Sequence, residues 1–447
     1  MPNHNQKAYI IAVDMGYGHQ RAAYPLRKLS INNEVLNANV YKGIPEADKK
    51  IWQNSRKSYE FMSRFKKTPL IGEIVWDLYD KLQEIPPFYP KQDLSAPTLQ
   101  LKAIYSLIKR KNWGKHLFET LAKKPLPIVA TFFIPAFMAE TFKYPGEIYC
   151  LATDSDISRA WAPLNPSKSK IKYFAPNHRV EERLKLYGVK DENIFVTGFP
   201  LPEELIGANN KNVLRKELGY RLFNLDPKKV YLGRFKESIV RHLGQANFPR
   251  RKHHPLTITF AVGGAGAQRE LGIEIAKSLK KQIQQNKINL ILVAGIHNEV
   301  SKYFRSELVK LGLREQINKQ IKIIFSQTKE DYFRKFNNSL KHTDVLWTKP
   351  SELSFYTALG LPIIMSPIIG SQEKFNHNWL RAIGSGVNQE DPTCAHQWFF
   401  DWLDSGWFAE AAMNGFLEAS TCGVDNIKKI LANKEEEINA IKNILHY

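Results

Sequence analysis

Along this chain, short strand-like runs alternate with longer helical stretches, the pattern left by βαβ units wound around parallel sheets. The runs fall into two sets. The first comprises "AYIIAV" (8–13), "EVLNANVY" (34–41), "PIVATFF" (127–133), "EIYCLAT" (147–153), "IKYFAP" (171–176) and "NIFVTGF" (193–199). After a break come "PLTITFAV" (255–262), "INLILVAG" (288–295), "IKIIF" (321–325), "DVLWT" (344–348) and "LPIIMSP" (361–367). One hydrophobic core stops growing at roughly 250 to 300 residues, and the chain has 447. The pattern therefore predicts an α/β fold of two doubly wound halves, residues 1–205 and 206–395, with a helical tail over 396–447 expected to pack back on the first half.

Charge and cysteine usage narrow the partners. A net charge of +20 suits anionic lipid headgroups, phosphate-bearing substrates or nucleic acid. Two segments concentrate it: 48–82, where cations mix with Trp, Phe, Tyr, Ile and Leu as in interfacial segments, and 234–254. The plainer alternative for either is a solvated helix face with ordinary core aromatics. No RNA-type aromatic motif or zinc-finger spacing accompanies them, so nucleic acid is not expected. Three scattered cysteines, Cys150, Cys394 and Cys422, form neither a disulfide framework nor a metal set, which fits a reducing cytoplasm. The opening "MPNHNQKAYIIAVD" lacks the pattern of an export signal. The longest apolar segment, "PLPIVATFFIPAFMA", is broken by three prolines and falls short of a bilayer span.

Ligands of doubly wound sheets bind beyond the carboxyl ends of the strands, so the informative residues should follow the runs. In "IAVDMGYGHQRAA" (11–23), Gly16 and Gly18 open the backbone to close approach, and His19 is the side chain there able to handle a proton. The alternative is a helix-start histidine that only bonds backbone. In "GGAGAQRE" (263–270), Gly263, Gly264, Gly266 and Ala267 stand at a strand-to-helix turn whose amides and helix dipole favour phosphate, or form a tight turn needing positive φ. Neither loop completes a nicotinamide fingerprint: Arg21 stands where a third glycine belongs, and the following strands end without a ribose-binding acid. G-K-[ST] is absent, so neither is a P-loop. Further on, Lys349 can neutralise phosphate, Ser351 is placed to cap a helix, and Glu352 in its first turn can accept hydrogen bonds from ribose hydroxyls. Gly370, Gln372, Glu373 and Asn376 concentrate polar capacity in what reads as a loop, as sugar hydroxyls demand.

Taken in order, "GYGHQRAA", "LATDSDISRAW", "FAPNHRVEERLKLYGVKDENIFVTGFPL", "FAVGGAGA", "DVLWTKP" and "PIIGSQEKFNHNWL" resemble the motifs of one group of GT-B glycosyltransferases. That group contains monogalactosyldiacylglycerol synthases, processive diacylglycerol glucosyltransferases and the N-acetylglucosaminyltransferase that makes lipid II. Three stretches depart from it. "KPSELSFYTALGLP" is shorter than the group's K-P-G-G segment and carries its acid at Glu352, the T-D to Trp spacing is tighter, and the stretch before "PLTITFAV" is longer.

The resemblance implies a GT-B architecture in which an acceptor half and a nucleotide-sugar half face across a cleft. The co-substrate would be a nucleoside diphosphate sugar, UDP-linked, with no cofactor and no metal. Its diphosphate would lie near Gly263, Gly264, Gly266 and Ala267, and its sugar near Gln372, Glu373 and Asn376. His19 would take the proton of an acceptor hydroxyl attacking the anomeric carbon, with inversion; imidazole suits this because its ordinary pKa of about 6.5 leaves a neutral base at neutral pH. Asp154 would orient His19 or bind acceptor, or simply cap the next turn. A lipid or lipid-linked acceptor reached from the inner face of a membrane by a peripheral cytoplasmic protein completes the expectation. The alternatives are a catalytically idle scaffold that binds nucleotide sugar or lipid, and a nucleotide-sugar 2-epimerase, which would need carboxylates near the anomeric carbon.

Overall fold

Each apolar run carries a strand, and the connections cross over so that all paired strands are parallel. The computed structural model describes residues 7–65, 85–207, 210–263, 266, 268–368 and 370–432, with backbone alone at 56–65 and 371. Strands β1 (Tyr9–Ala12), β2 (Leu36–Asn37), β3 (Ile128–Ala130), β4 (Ile148–Leu151), β5 (Lys172–Ala175) and β6 (Ile194–Val196) form one six-stranded sheet in the order β2-β1-β3-β4-β5-β6. The second sheet joins β7 (Leu256–Ala261), β8 (Ile288–Gly295), β9 (Ile321–Phe325), β10 (Val345–Thr348), β11 (Ile363–Met365) and β12 (Gly386–Asn388) in the order β12-β11-β10-β7-β8-β9. Two doubly wound α/β halves, followed by C-terminal helices, are thus the fold class.

Burial explains the strand sequences. β7 lies inside its sheet with every residue covered, so it reads as an unbroken apolar run. β9 is at the edge and exposes Lys322. Sequence reading missed β12, which has three residues and starts on glycine, too short for either periodicity to register. The run at 127–133 splits: β3 ends at Ala130, and Phe133 begins the helix Phe133–Thr141, buried from Phe133 through Ala139. Pro135 sits in the first turn of that helix, where no intrahelical hydrogen bond is lost. Its apolarity reflects a core position, and no helix among the described residues is long and apolar enough to cross a membrane.

The chain divides into two compact units, Met1–Pro200 with Gly370–Phe375 and Cys422–Tyr447, and Leu201–Ile369 with Asn376–Thr421. In the first, Trp113, Phe118, Phe137 and Tyr173 anchor the core. In the second, the tail helices Ala395–Asp404 and Trp407–Glu418 contribute Phe399, Leu403, Phe408 and Met413 to the core around Trp347. The helix Gly423–Leu431 belongs to the first unit, where Asn426 Nδ2 donates to the Thr197 carbonyl at 2.9 Å. A Cβ on Gly423 would collide with the Phe199 carbonyl oxygen, so glycine permits that approach.

Helix Glu46–Phe65 opens the basic 48–82 segment and buries Trp52; the side chains of 56–84 lie outside the described residues. In 234–254, Ile239 and Leu243 are buried while Arg234, Lys236, Arg241, Arg250, Arg251 and Lys252 are exposed. All three cysteines are free. Among the described residues no group of three or more His, Cys, Asp or Glu is arranged to hold a metal ion.

Candidate functional site

In each sheet the chain first adds strands on one side of its opening strand and then returns to the other side. The switch falls between β1 and β3 in the first sheet and between β7 and β10 in the second. Such switch points leave a crevice beyond the carboxyl ends of the strands, the ordinary ligand position of this fold class.

The first crevice holds His19. The residues after β1 are tethered to the end of β2: Asp14 N donates to Asn39 Oδ1 at 2.8 Å, and Gln20 Nε2 to Asn37 Oδ1 at 2.7 Å. Gly16 has φ +118°, and a Cβ there would meet nothing within 4 Å, so backbone conformation rather than crowding calls for glycine. Gly18 makes no such demand; it begins the helix Gly18–Ala23. His19 Nδ1 lies 2.8 Å from the carbonyl oxygen of Thr131, immediately after β3. A carbonyl only accepts, so Nδ1 carries the proton and Nε2 holds the lone pair of the neutral ring. The Thr131 hydroxyl in turn donates to the His19 carbonyl at 2.8 Å.

The T-D segment converges on the same ring. Thr153 Oγ1 lies 3.5 Å from His19 Nδ1, and the rings of Phe132 and Trp161 stand 4.6 and 6.2 Å from the imidazole, centroid to centroid. Asp154 is half-buried next to Thr153. Two residues on, buried Asp156 is held by Arg183 through bonds of 2.9 and 3.0 Å and by Arg179 at 2.8 Å, which anchors the segment. Sequence reading missed Thr131, Phe132 and Asp156. The one available signal was the end of the run at 127–133, and its importance depends on β3 pairing with β1.

The second crevice is lined from three strands. Gly263 follows β7, and a Cβ built on it would lie 2.8 Å from Cε and 3.6 Å from Nζ of Lys349, which follows β10. Sequence reasoning named both; the structure brings them together. Gly266 has φ +71° and donates its N–H to the Gly263 carbonyl at 2.8 Å, so that amide closes the turn and is not directed at a ligand. Gly264 and Ala267 lie outside the described residues. Gln268, unnoticed in the sequence, holds a left-handed φ of +64° at the start of helix Arg269–Ser278. It donates to the Pro367 carbonyl and accepts from Ser366 Oγ, each at 2.9 Å, pinning the turn to the loop after β11.

Two expectations need correction. Ser351 occupies the N-cap position of a 3₁₀-helix, Glu352–Leu359, with φ −122° and ψ −149°, but its side chain makes no capping bond. Glu352 is in the first turn as anticipated, half-buried. The stretch read as a polar loop is the helix Ser371–Ala382: Gly370 precedes it, Gln372 and Glu373 lie in its first turn, and Asn376 is fully buried with Nδ2 3.4 Å from the Pro350 carbonyl. Glu373 is buried and Gln372 half-buried, so this helix offers fewer open polar groups than a loop would.

Residues 238–403 match the family described as a domain of unknown function, DUF6938. The processive diacylglycerol beta-glucosyltransferase of Bacillus subtilis (strain 168) is 19% identical over 394 residues, 86% of this chain and 84% of the relative. Among solved structures, the MurG protein of Acinetobacter baumannii aligns at 12% identity and a TM-score of 0.45, covering 96% of this chain and 99% of its own. The UDP-GlcNAc 2-epimerase of Neisseria meningitidis, solved with UDP-GlcNAc, aligns at 14% identity and a TM-score of 0.43, covering 82% and 88%. The chain resembles the glycolipid-forming glycosyltransferase group from which its motifs were read.

Proposed function

We propose that the protein transfers a sugar from a UDP-linked donor to a hydroxyl of a lipid or lipid-linked acceptor, inverting the anomeric carbon and using no metal or other cofactor. The observation that carries this reading is the histidine at the first switch point: its Nδ1 is committed to a carbonyl, which makes Nε2 the basic nitrogen. In the proposed step Nε2 takes the acceptor hydroxyl's proton as that oxygen bonds to the anomeric carbon. The bond from this carbon to the β-phosphate oxygen breaks, and its electron pair leaves with the diphosphate.

The remaining roles follow from chemistry. Gly263 and Gly264 let the diphosphate approach the backbone, Ala267 leads toward the helix Arg269–Ser278 whose dipole favours the anion, and Lys349 neutralises it. Glu352 accepts from ribose hydroxyls, and Gln372 with Glu373 addresses the sugar beside the small Gly370. Asn376 acts from beneath, by fixing its helix to Pro350. Asp154 sits on the acceptor side. The relative's name supports a lipid acceptor, and the net charge of +20 with the exposed cations of 234–252 supports peripheral attachment to the anionic inner face of a membrane.

The test is incubation of purified protein with UDP-glucose, UDP-galactose and UDP-N-acetylglucosamine, with and without a membrane lipid extract, following UDP release and product mass. Free UDP together with a heavier lipid is the expected result. An isomerised nucleotide sugar would assign an epimerase instead, and ligand-induced thermal stabilisation without turnover would assign a binding protein.

A further inference from the structure

We propose that a cleft at the far end of the helix Arg269–Ser278 binds a small phosphorylated sugar, at a site separate from the donor site and independent of the transferase reading. The helix follows the glycine turn and has 10 residues. At 1.5 Å per residue, its last turn lies roughly 15 Å from its start. There it meets the segment that opens the tail, the 3₁₀ turn Pro392–Cys394 and the helix Ala395–Asp404, and a cavity of about 280 Å³ lies between them. Ligand cavities run from roughly 300 to 1,000 Å³, so this one has the scale of a sugar monophosphate rather than of a nucleotide sugar.

One wall is fixed by hydrogen bonds among its own polar groups. The Ser278 hydroxyl spends its single proton on the Thr393 carbonyl at 2.9 Å, so it accepts from the His396 backbone N–H at 3.1 Å and from His396 Nδ1 at 3.0 Å. His396 Nε2 in turn accepts from Gln397 Nε2 at 3.3 Å. Asp391 Oδ1 holds Thr393 by its N–H at 2.9 Å and its hydroxyl at 2.7 Å.

The groups that address a ligand stand on the helical side. Lys277 and Lys281 both line the cavity, and neither ammonium is paired with a carboxylate among the described residues. Two such cations on one small cavity suit a single phosphate, which accepts a charge-assisted hydrogen bond from each. Glu274 and Gln282 line the same cavity. An ionised carboxylate only accepts, so Glu274 opposes a second anionic group and calls for hydroxyls. The Gln282 amide oxygen is buried with no hydrogen bond among the described residues, and rotation about its soft terminal torsion turns it toward a further hydroxyl. One anionic group and several hydroxyls together describe a sugar phosphate.

The experiment is calorimetric titration of the full chain and its Lys277→Ala/Lys281→Ala variant with glucose 6-phosphate, inorganic phosphate, glucose and UDP. Both lysines are exposed, so their removal leaves the core intact. Wild type should bind glucose 6-phosphate more tightly than phosphate, and glucose not measurably. In the variant, loss of the charge-assisted bonds predicts glucose 6-phosphate binding weakened about 10- to 100-fold, with UDP binding as in wild type. No binding of glucose 6-phosphate by the wild type, or equal binding by the variant, overturns the site. Phosphate bound as tightly as glucose 6-phosphate overturns the choice of a sugar, and an equal fall in UDP affinity overturns the separation of the two sites.

Discussion

Thr131 holds His19 at two points, through its carbonyl to Nδ1 and its hydroxyl to the histidine carbonyl, and only the second can be removed by substitution. Thr131→Val keeps the shape and the tautomer-setting carbonyl but loses one buried hydrogen bond, worth about 1 kcal/mol. Steady-state kinetics should therefore show kcat down about fivefold with UDP affinity unchanged; a fall in UDP affinity would show that Thr131 serves something other than His19. At this scale the sequence was legible where chemistry is local. Two glycines followed directly by a histidine mark His19 without any fold. Thr131 and Phe132 are ordinary residues until strand order sets them beside a glycine loop. Asn376, chosen for its polarity, is buried with Nδ2 donating to the Pro350 carbonyl.

Among the elements, buried Arg221 is the main tie beneath the second sheet. It donates to the carbonyls of Thr343 (2.8 Å), Leu359 (2.7 Å), Gly360 (3.3 Å) and Leu340 (3.2 Å). Arg221→Leu leaves those acceptors unsatisfied in the interior, and denaturant unfolding should report a loss of about 2–4 kcal/mol.

Beside it, burial pushes His254 down to about 4 and Asp344 up to about 8. The two act with opposite sign. A histidine kept neutral by the fold contributes stability above its ordinary pKa of about 6.5, lost as pH falls toward 4, whereas a raised carboxyl contributes stability at low pH that is lost as pH rises through about 8. The His254 contribution is isolated by comparing wild type with His254→Gln. The wild-type advantage in thermal stability should narrow between pH 6.5 and 4, and a gap that stays constant would contradict the assignment.

Element types were legible where periodicity was long. The segment after β10 was expected as a helix and is a 3₁₀-helix of eight residues. At about 2.0 Å rise per residue, against 1.5 Å for an α-helix, a short connection reaches farther in that form. Ser371–Ala382 was misread because "GSQ" has the composition of a loop, while its helical character lies in the residues that follow.

On the scale of the molecule, the proposed transfer divides between the halves, one removing the proton and the other holding the donor. The two halves were visible in the spacing of apolar runs, since strands buried on both faces leave continuous signals. The fate of the tail was not: Phe399, Phe408 and Met413 complete the second core, whereas the helix Gly423–Leu431 joins the first unit through a tertiary contact to Thr197 that no local pattern announces. Division of labour between halves makes a sharp demand on kinetics. Damage to the first half should cost turnover alone, and damage to Lys349 should cost donor affinity. The direct measurement is kcat and UDP dissociation constant for His19→Ala beside wild type. The account predicts a kcat lower by a factor of about 10² to 10⁴ with UDP affinity within twofold of wild type; full turnover, or loss of UDP binding in that variant, would contradict it.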